Sequence, residues 1–232
     1  MIKQSMVLAA GLGKRLRPLT LATPKPLIPI NGIPLLQYTL DRLRVRQLDK
    51  IVINTHYLAE QIANYLQDTP ITISYEPELL ETGGGIAKAL FHFDKQPFFS
   101  LNSDIWWQEI SSNILDDLEQ TWNDKTMDAL LVLVAHNNAL NFSGPGDFFW
   151  DETTLTPIFK DSEGTAPYIY TGIQLLHPRL FENCPTGAFS IVELYRKAHQ
   201  LNRLKAIVLK GKWSDIGTLD ALEALRQRGG HV

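Results

Sequence analysis

The chain alternates short unbroken apolar blocks with stretches in which apolar residues return every three or four positions. Met6 to Ala10 is the first block and reads as a buried strand. Helical spacing follows from Pro34 to Arg46, carried by Leu35, Leu36, Tyr38, Leu40 and Leu43. Ile51–Asn54 predicts a second strand, Leu58–Leu66 a helix, Ile71–Tyr75 a third strand and Ile86–Leu90 the opening of another helix. Pro97–Leu101 is the fourth strand. This alternation predicts a mostly parallel sheet with helices on both faces.

Past Asp104 the rhythm changes. A helix is expected over Ser111–Thr121 and a strand over Ala129–Ala135. Shorter strands separated by turn signals follow at Asp147–Trp150, Leu155–Phe159 and Tyr168–Leu176. Ile191–Gln200 is a helix, Ala206–Leu209 a strand and Leu219–Arg228 a closing helix. The second half thus reads as an insertion or lid built onto the same sheet. The expectation is one α/β domain over residues 1–232. It would be a Rossmann-like three-layer sandwich on a mostly parallel mixed sheet, with halves at 1–135 and 136–232.

Composition removes several classes. A formal net charge of -3 with no basic block argues against generic nucleic-acid binding. One cysteine, Cys184, rules out an internal disulfide and a cysteine metal site. The histidines are scattered, without zinc-site spacing. The apolar run after Met1 is too short for a signal-peptide core, and nothing approaches the roughly 18 apolar residues of a membrane span. A cytoplasmic protein with no membrane partner is expected.

The chemistry is carried by a few segments. Leu8-Ala9-Ala10-Gly11-Leu12-Gly13-Lys14-Arg15 leaves the C-terminal end of the first strand, the edge at which open α/β sheets bind ligands. Glycines there let backbone N–H groups approach an anion. Leu16 occupies the third glycine position of a dinucleotide fingerprint, and Asn54 stands where its acidic residue belongs. Arg15 after Gly13-Lys14 breaks the Walker pattern. What remains is a glycine loop with Lys14, Arg15 and Arg17, suited to a triphosphate, or a tight turn with a solvated basic flank. Pro24-Lys25-Pro26 is either a stiff mount for one ammonium or a surface lysine in a proline-rich loop. Asp104 ends the fourth strand, and Asp215 stands just before the closing helix. The two could share one Mg²⁺ with phosphate oxygens and water, or each could cap a helix. Glu81-Thr82-Gly83-Gly84-Gly85 is either a helix start that exposes N–H groups to a flat base or a loose glycine-rich terminus. Asn54, Thr55 and His56 either frame the base or form a turn. Trp106 and Trp107 line a mouth or pack in the core.

Gly11-x-Gly13-x-Arg15-x-x-Pro18-Leu19-Thr20, followed by Pro24-Lys25-Pro26-Leu27, resembles the signature of the sugar-1-phosphate nucleotidyltransferase family. Asn102-Ser103-Asp104 and Trp213-Ser214-Asp215-Ile216-Gly217-Thr218 resemble that family's metal-binding segments, so the resemblance covers nearly the whole chain. It implies a GT-A-like nucleotidyltransferase fold, a nucleoside triphosphate and a sugar 1-phosphate as substrates, and Mg²⁺ on Asp104 and Asp215. It also implies that Arg15 contacts the departing phosphates and Lys25 the nucleotide phosphates, with Asp104 completing the catalytic set. The nucleotide site would comprise Leu8, Ala9, Ala10, Gly11, Gly13, Lys14, Arg15, Lys25, Thr82, Gly83, Gly84 and Asn102. Gly144–Phe148 and Tyr170–Ile173 resemble sugar-pocket segments and contribute Gly146, Thr171 and Gly172. Lys160 is a sugar-phosphate ligand or a plain surface lysine, and Glu193 faces ligand or solvent.

The Glu81–Ile86, Asn102–Trp106, Gly146–Phe148 and Gly187–Phe189 segments look most like the uridylyltransferase branch acting on N-acetylmuramate 1-phosphate. That branch is similar to the mannose- and heptose-1-phosphate guanylyltransferases. UTP is therefore the expected donor, in a monomer or homodimer. Two other classes stand beside this one. A non-catalytic nucleotide-binding regulatory module need not keep both aspartates with Arg15 and Lys25. A dinucleotide oxidoreductase is disfavoured by Leu16 and Asn54.

Overall fold

The computed structural model of the chain describes residues 1–160 and 163–228. Its first half supplies β1 (Gln4–Leu8), a minimal hairpin of β2 (Pro29–Ile30) and β3 (Ile33–Pro34), α1 (Leu35–Arg44), β4 (Lys50–Thr55), α2 (Ala59–Leu66), β5 (Thr72–Tyr75), α3 (Glu81–Ala89) and β6 (Phe98–Asn102). Then come β7 (Ile105–Glu109), α4 (Ile114–Thr121), β8 (Ala129–Ala135), β9 (Phe148–Asp151), β10 (Thr156–Phe159) and β11 (Tyr168–Leu176). The chain closes with α5 (Ile191–Gln200), β12 (Leu204–Val208), β13 (Gly211–Asp215) and α6 (Leu219–Gln227).

The main sheet runs β10-β9-β11-β6-β1-β4-β5, with β8 on the other edge of β11 and β12 beyond it. β6, β1, β4 and β5 are parallel; β11 runs antiparallel to β6 and β8, so the second half extends the same sheet. Successive strand residues bury into opposite layers. Val7, Ile53, Phe99 and Leu101 pack with Leu36 and Leu40 of α1, Ile62 of α2 and Leu118 of α4. Met6, Val52 and Phe98 pack with Ile86 of α3 and Leu194 of α5. A strand covered on both faces has to be apolar at every position, which is why these segments read as unbroken blocks. The outcome is the three-layer α/β arrangement. Among the described residues no helix is long and apolar enough to cross a membrane.

Two expectations and one alternative reading need correction. β1 ends at Leu8, so Ala9 and Ala10 belong to the loop. α3 begins at Glu81, not Ile86, and holds all three glycines inside the helix. A Cβ on Gly83 would lie 2.4 Å from the Phe189 ring, and one on Gly84 2.2 Å from the Gly187 carbonyl oxygen, so tight packing against the approach to α5 overrides the poor helix propensity of glycine. Neither aspartate caps a helix. Asp104 lies in the turn between β6 and β7, Asp215 ends β13, and Thr218 caps α6 by accepting from the Ala221 N–H.

β7 and β13 were not anticipated. They form a separate antiparallel ribbon in which Asp215 pairs with Ile105 and Gly211 with Glu109. A Cβ on Gly211 would sit 2.0 Å from the Gln108 carbonyl oxygen, so this close pairing requires glycine. Trp106 and Trp107 are both buried in cores.

Candidate active site

The loops at the C-terminal ends of β1, β4, β5 and β6 enclose a cavity of ≈ 380 Å³. Leu8, Ala9, Ala10 and Gly11 at the end of β1, Asn102 and Asp104 at the end of β6, and Lys25 line it. Thr82 faces it from α3. Gly11 is exposed, and a Cβ built on it would meet nothing within 4 Å, so its backbone stands open to a ligand. Gly13 has φ +59, a left-handed conformation that suits glycine, and starts the short 3₁₀ turn Lys14–Leu16. Lys14 and Arg15 are exposed on that turn, outside the cavity lining, while Leu16 is fully buried.

The ribbon brings the distant aspartates together. The Ile216 N–H donates to the Asp104 carbonyl oxygen at 2.9 Å. Lys25 Nζ donates to Asp104 Oδ2 and lies 3.7 Å from Asp215 Oδ1. Arg15 Nη2 donates to Asp215 Oδ2 at 3.3 Å. Two carboxylates and two cations thus meet at the cavity's edge. Gly217 makes room for them, since a Cβ there would lie 2.6 Å from Arg15 Nη2 and 2.7 Å from Asp215 Oδ2. Burial, and then the neighbouring Asp104 charge, raise the Asp215 carboxyl above its ordinary value against the opposing pull of Lys25 and Arg15. Mg²⁺ seeks hard oxygen ligands and keeps positions for phosphates and water. Two crowded carboxylates at the edge of a cavity of this size fit that demand. Among the described residues no third carboxylate, histidine or cysteine completes a metal cluster with them.

Other expected residues are placed differently. Gly83 and Gly84 do not line the cavity; their N–H groups donate to the Phe189 carbonyl oxygen at 3.0 and 3.3 Å. Thr171 is fully buried and its hydroxyl donates to the Val132 carbonyl oxygen at 2.8 Å. Gly172, at φ +81, sits at the bulge between β11 and β8, where a Cβ would lie 2.6 Å from Asn102 Nδ2. It therefore sets the backbone of β11 against the cavity wall. Gly146, at φ +76, allows the Ala166 carbonyl to approach, and Asp147 Oδ2 accepts from the Tyr170 N–H at 2.9 Å. Lys160 Nζ donates to the Gly164 carbonyl oxygen at 3.3 Å, with its own N–H on the Asp147 carbonyl. Glu193 is exposed in the first turn of α5. His56 and Thr55 line a separate groove at the β5 edge, whereas Asn54 lines the cavity.

Several residues around the site were missed. Ser103 donates to the Leu8 carbonyl oxygen at 2.7 Å and ties two walls together. Ser190 lines the cavity and caps α5, accepting from the Val192 N–H at 3.3 Å; a serine before an amphipathic run is a readable cap signal. Glu81 takes φ +57, an uncommon conformation for a non-glycine residue, and nothing in the sequence marks it. Glu76 is fully buried behind the cavity.

Comparison with known proteins matches residues 4–228 to the nucleotidyl transferase family. The chain is 34% identical over 234 residues to N-acetylmuramate alpha-1-phosphate uridylyltransferase of Caulobacter vibrioides, covering 97% of this chain and 96% of that protein. It is 31% identical over 239 residues to the enzyme of the same name from Neisseria meningitidis serogroup B, with 98% of each covered. Among solved structures, HddC from Yersinia pseudotuberculosis complexed with GMP-PN superposes with a TM-score of 0.75 at 23% identity. That superposition covers 98% of this chain and 100% of HddC, and it establishes the shared fold.

Proposed function

The chain belongs to the nucleotidyl transferase family, and from that premise we propose that it transfers a uridylyl group from UTP to N-acetylmuramate 1-phosphate, releasing pyrophosphate. Sugar-1-phosphate nucleotidyltransferase activity is the coarser assignment. The choice of uridylyl and muramate rests on the names carried by the 34% and 31% identical relatives. The observation that carries the chemistry is the meeting of Lys25, Arg15, Asp104 and Asp215 at the edge of the cavity.

In this reading a phosphate oxygen of the sugar 1-phosphate attacks the α-phosphorus of UTP. The bond to the bridging oxygen breaks, and pyrophosphate leaves from the opposite side. The nucleophile is already an anion, so no general base is needed, and positioning with charge neutralisation does the catalysis. The open backbone of Gly11, with Ala10 beside it on the cavity lining, receives the nucleotide phosphates. Lys25, nearly buried and fixed between two prolines, neutralises the α-phosphate region. Arg15, exposed on its turn, follows the departing pyrophosphate. Thr82 and Asn102 border the nucleoside, the β11 bulge at Thr171-Gly172 borders the sugar, and Gly146, Lys160 and Glu193 are assigned to the sugar side on the resemblance alone. Asp104 and Asp215 would hold Mg²⁺, which when bound supplies charge to the phosphates. We place the enzyme in the cytoplasm, where nucleoside triphosphates are supplied.

The test is product identification. UTP, N-acetylmuramate 1-phosphate and Mg²⁺ are incubated with the protein and resolved by anion-exchange chromatography. A UDP-sugar peak formed in step with pyrophosphate supports the proposal. Consumption of GTP with a mannose or heptose 1-phosphate, and none of UTP, replaces it with the guanylyl reading.

A further inference from the structure

A buried chain of hydrogen bonds runs from the loop after β1 to the turn before α3, through Asn54 on the cavity lining and the fully buried Glu76. Asn54 Oδ1 accepts from the Ala9 N–H at 2.9 Å. Asn54 Nδ2 donates to Glu76 Oε1 at 2.7 Å. Glu76 Oε2 accepts from the Leu80 N–H at 3.2 Å. Asn54 is 3% exposed and Glu76 0%. A Cβ on Gly85 would lie 2.6 Å from Glu76 Oε1 and 2.8 Å from Asn54 Nδ2, so the third glycine of α3 leaves room for this contact.

Resting on the nucleotide cavity argued above, we propose that Asn54 and Glu76 act as paired positioning residues that hold Ala9 on one side of the cavity against the segment that carries Leu79, Glu81 and Thr82 on the other. The logic is a count of donors. Both ends of the chain are backbone N–H donors, so the two side chains between them must offer three acceptors and one donor. One carboxylate and one amide satisfy that count; two amides or two carboxylates do not. Glu76→Gln leaves two donors face to face however the amides rotate. Asn54→Asp sets two carboxylate oxygens face to face. Both changes keep the size of the side chain, so packing is conserved. The double variant N54D/E76Q restores the count with the carboxylate moved to the other residue: Asp accepts from Ala9 and from the Gln amide, whose oxygen accepts from Leu80. Glu76 is fully buried, and both ends of the Asn54 amide, although Asn54 lines the cavity, are engaged by Ala9 and Glu76.

The experiment measures UTP binding by calorimetry, with GTP alongside, plus Tm, KM and kcat, for the wild type, both single variants and the double variant. Each single variant is expected to melt below the wild type, the cost of one unmatched buried polar group, and, with the two sides of the cavity no longer held in register, to bind UTP about tenfold more weakly and raise KM while kcat at saturation holds. The double variant should return to within roughly threefold of the wild type. If the single variants fail to fold, the double variant alone decides. Folded with near-native UTP affinity it supports the pairing, and folded with weak affinity it overturns it. A wild type that binds UTP while all variants bind equally well overturns this inference alone. A wild type that binds neither triphosphate overturns the cavity assignment and both readings together.

Discussion

Lys25→Met removes one charge from the meeting point of two carboxylates and keeps an apolar stem of similar length. Lys25 is 8% exposed, and it is the cation that reaches both Asp104 and Asp215. Without it Asp104 loses its ion pair, and Asp215 keeps Arg15, whose side chain is 68% exposed. Breaking a fully buried pair costs about 3–5 kcal/mol. The carboxylates here are 27% and 32% exposed, so water takes up part of that loss, and about 1–3 kcal/mol is the expected cost. In a chain of this size 1 kcal/mol moves Tm by about 2–4 °C, so the variant should melt roughly 2–12 °C below the wild type in EDTA. Mg²⁺ should then stabilise the variant more than the wild type, because it replaces the missing charge; a tenfold excess over Kd returns about 1.4 kcal/mol. Turnover should fall about 10²–10³-fold. The assay is thermal unfolding by circular dichroism in EDTA and across a Mg²⁺ series. Equal melting of the two proteins in EDTA, or equal response to Mg²⁺, would refute the claim that Lys25 neutralises this carboxylate pair.

Other consequences follow from the same geometry. Asp104→Asn should lower kcat about 10²–10³-fold while the far-ultraviolet spectrum stays native; near-normal turnover in the folded variant removes Asp104 from the machinery. Asp215 carries a raised carboxyl, so the folded protein holds that proton more tightly than the unfolded chain. Its contribution to stability is complete below the unfolded value, about 3.9, and is lost as pH rises through the higher folded value. Asp215→Asn should therefore flatten this part of the Tm–pH profile and melt no lower than the wild type at neutral pH; a variant that melts clearly lower there contradicts the shift. Gly84→Ala places a Cβ 2.2 Å from the Gly187 carbonyl oxygen, and urea unfolding should show a loss of about 1–3 kcal/mol; an unchanged midpoint would mean that the contact between α3 and the Gly187 turn yields freely.

The elements legible in the sequence were those buried on two faces or carrying a helical stripe. Met6, Val7, Val52 and Ile53 announce their strands because each side chain enters one of two cores. The open Gly11 and the carboxylate after β6 were legible too, because both stand where a strand stops. The ribbon that delivers Asp215 was not. β7 and β13 are five residues each and lie about a hundred residues apart, and pairing over that distance leaves no local pattern. The Gly83–Gly85 run misled for a related reason. Glycine marks close approach without saying what approaches, and here it is Phe189, Gly187 and the Glu76 carboxylate rather than an open ligand face. Glu76 itself is one acidic residue after a strand; its environment is assembled from β4, the loop after β5 and α3, and no single stretch of sequence records that.

Uridylyl transfer to N-acetylmuramate 1-phosphate is decided by initial rates of pyrophosphate release with Mg²⁺ over a grid of nucleoside triphosphates (UTP, GTP, CTP, dTTP and ATP) against N-acetylmuramate, N-acetylglucosamine, glucose, mannose and heptose 1-phosphates. The highest kcat/KM is expected at UTP with N-acetylmuramate 1-phosphate, and it should be lost in Asp104→Asn. A maximum at GTP with mannose or heptose 1-phosphate would contradict the substrate assignment, and no release in any combination from folded protein would contradict catalysis itself.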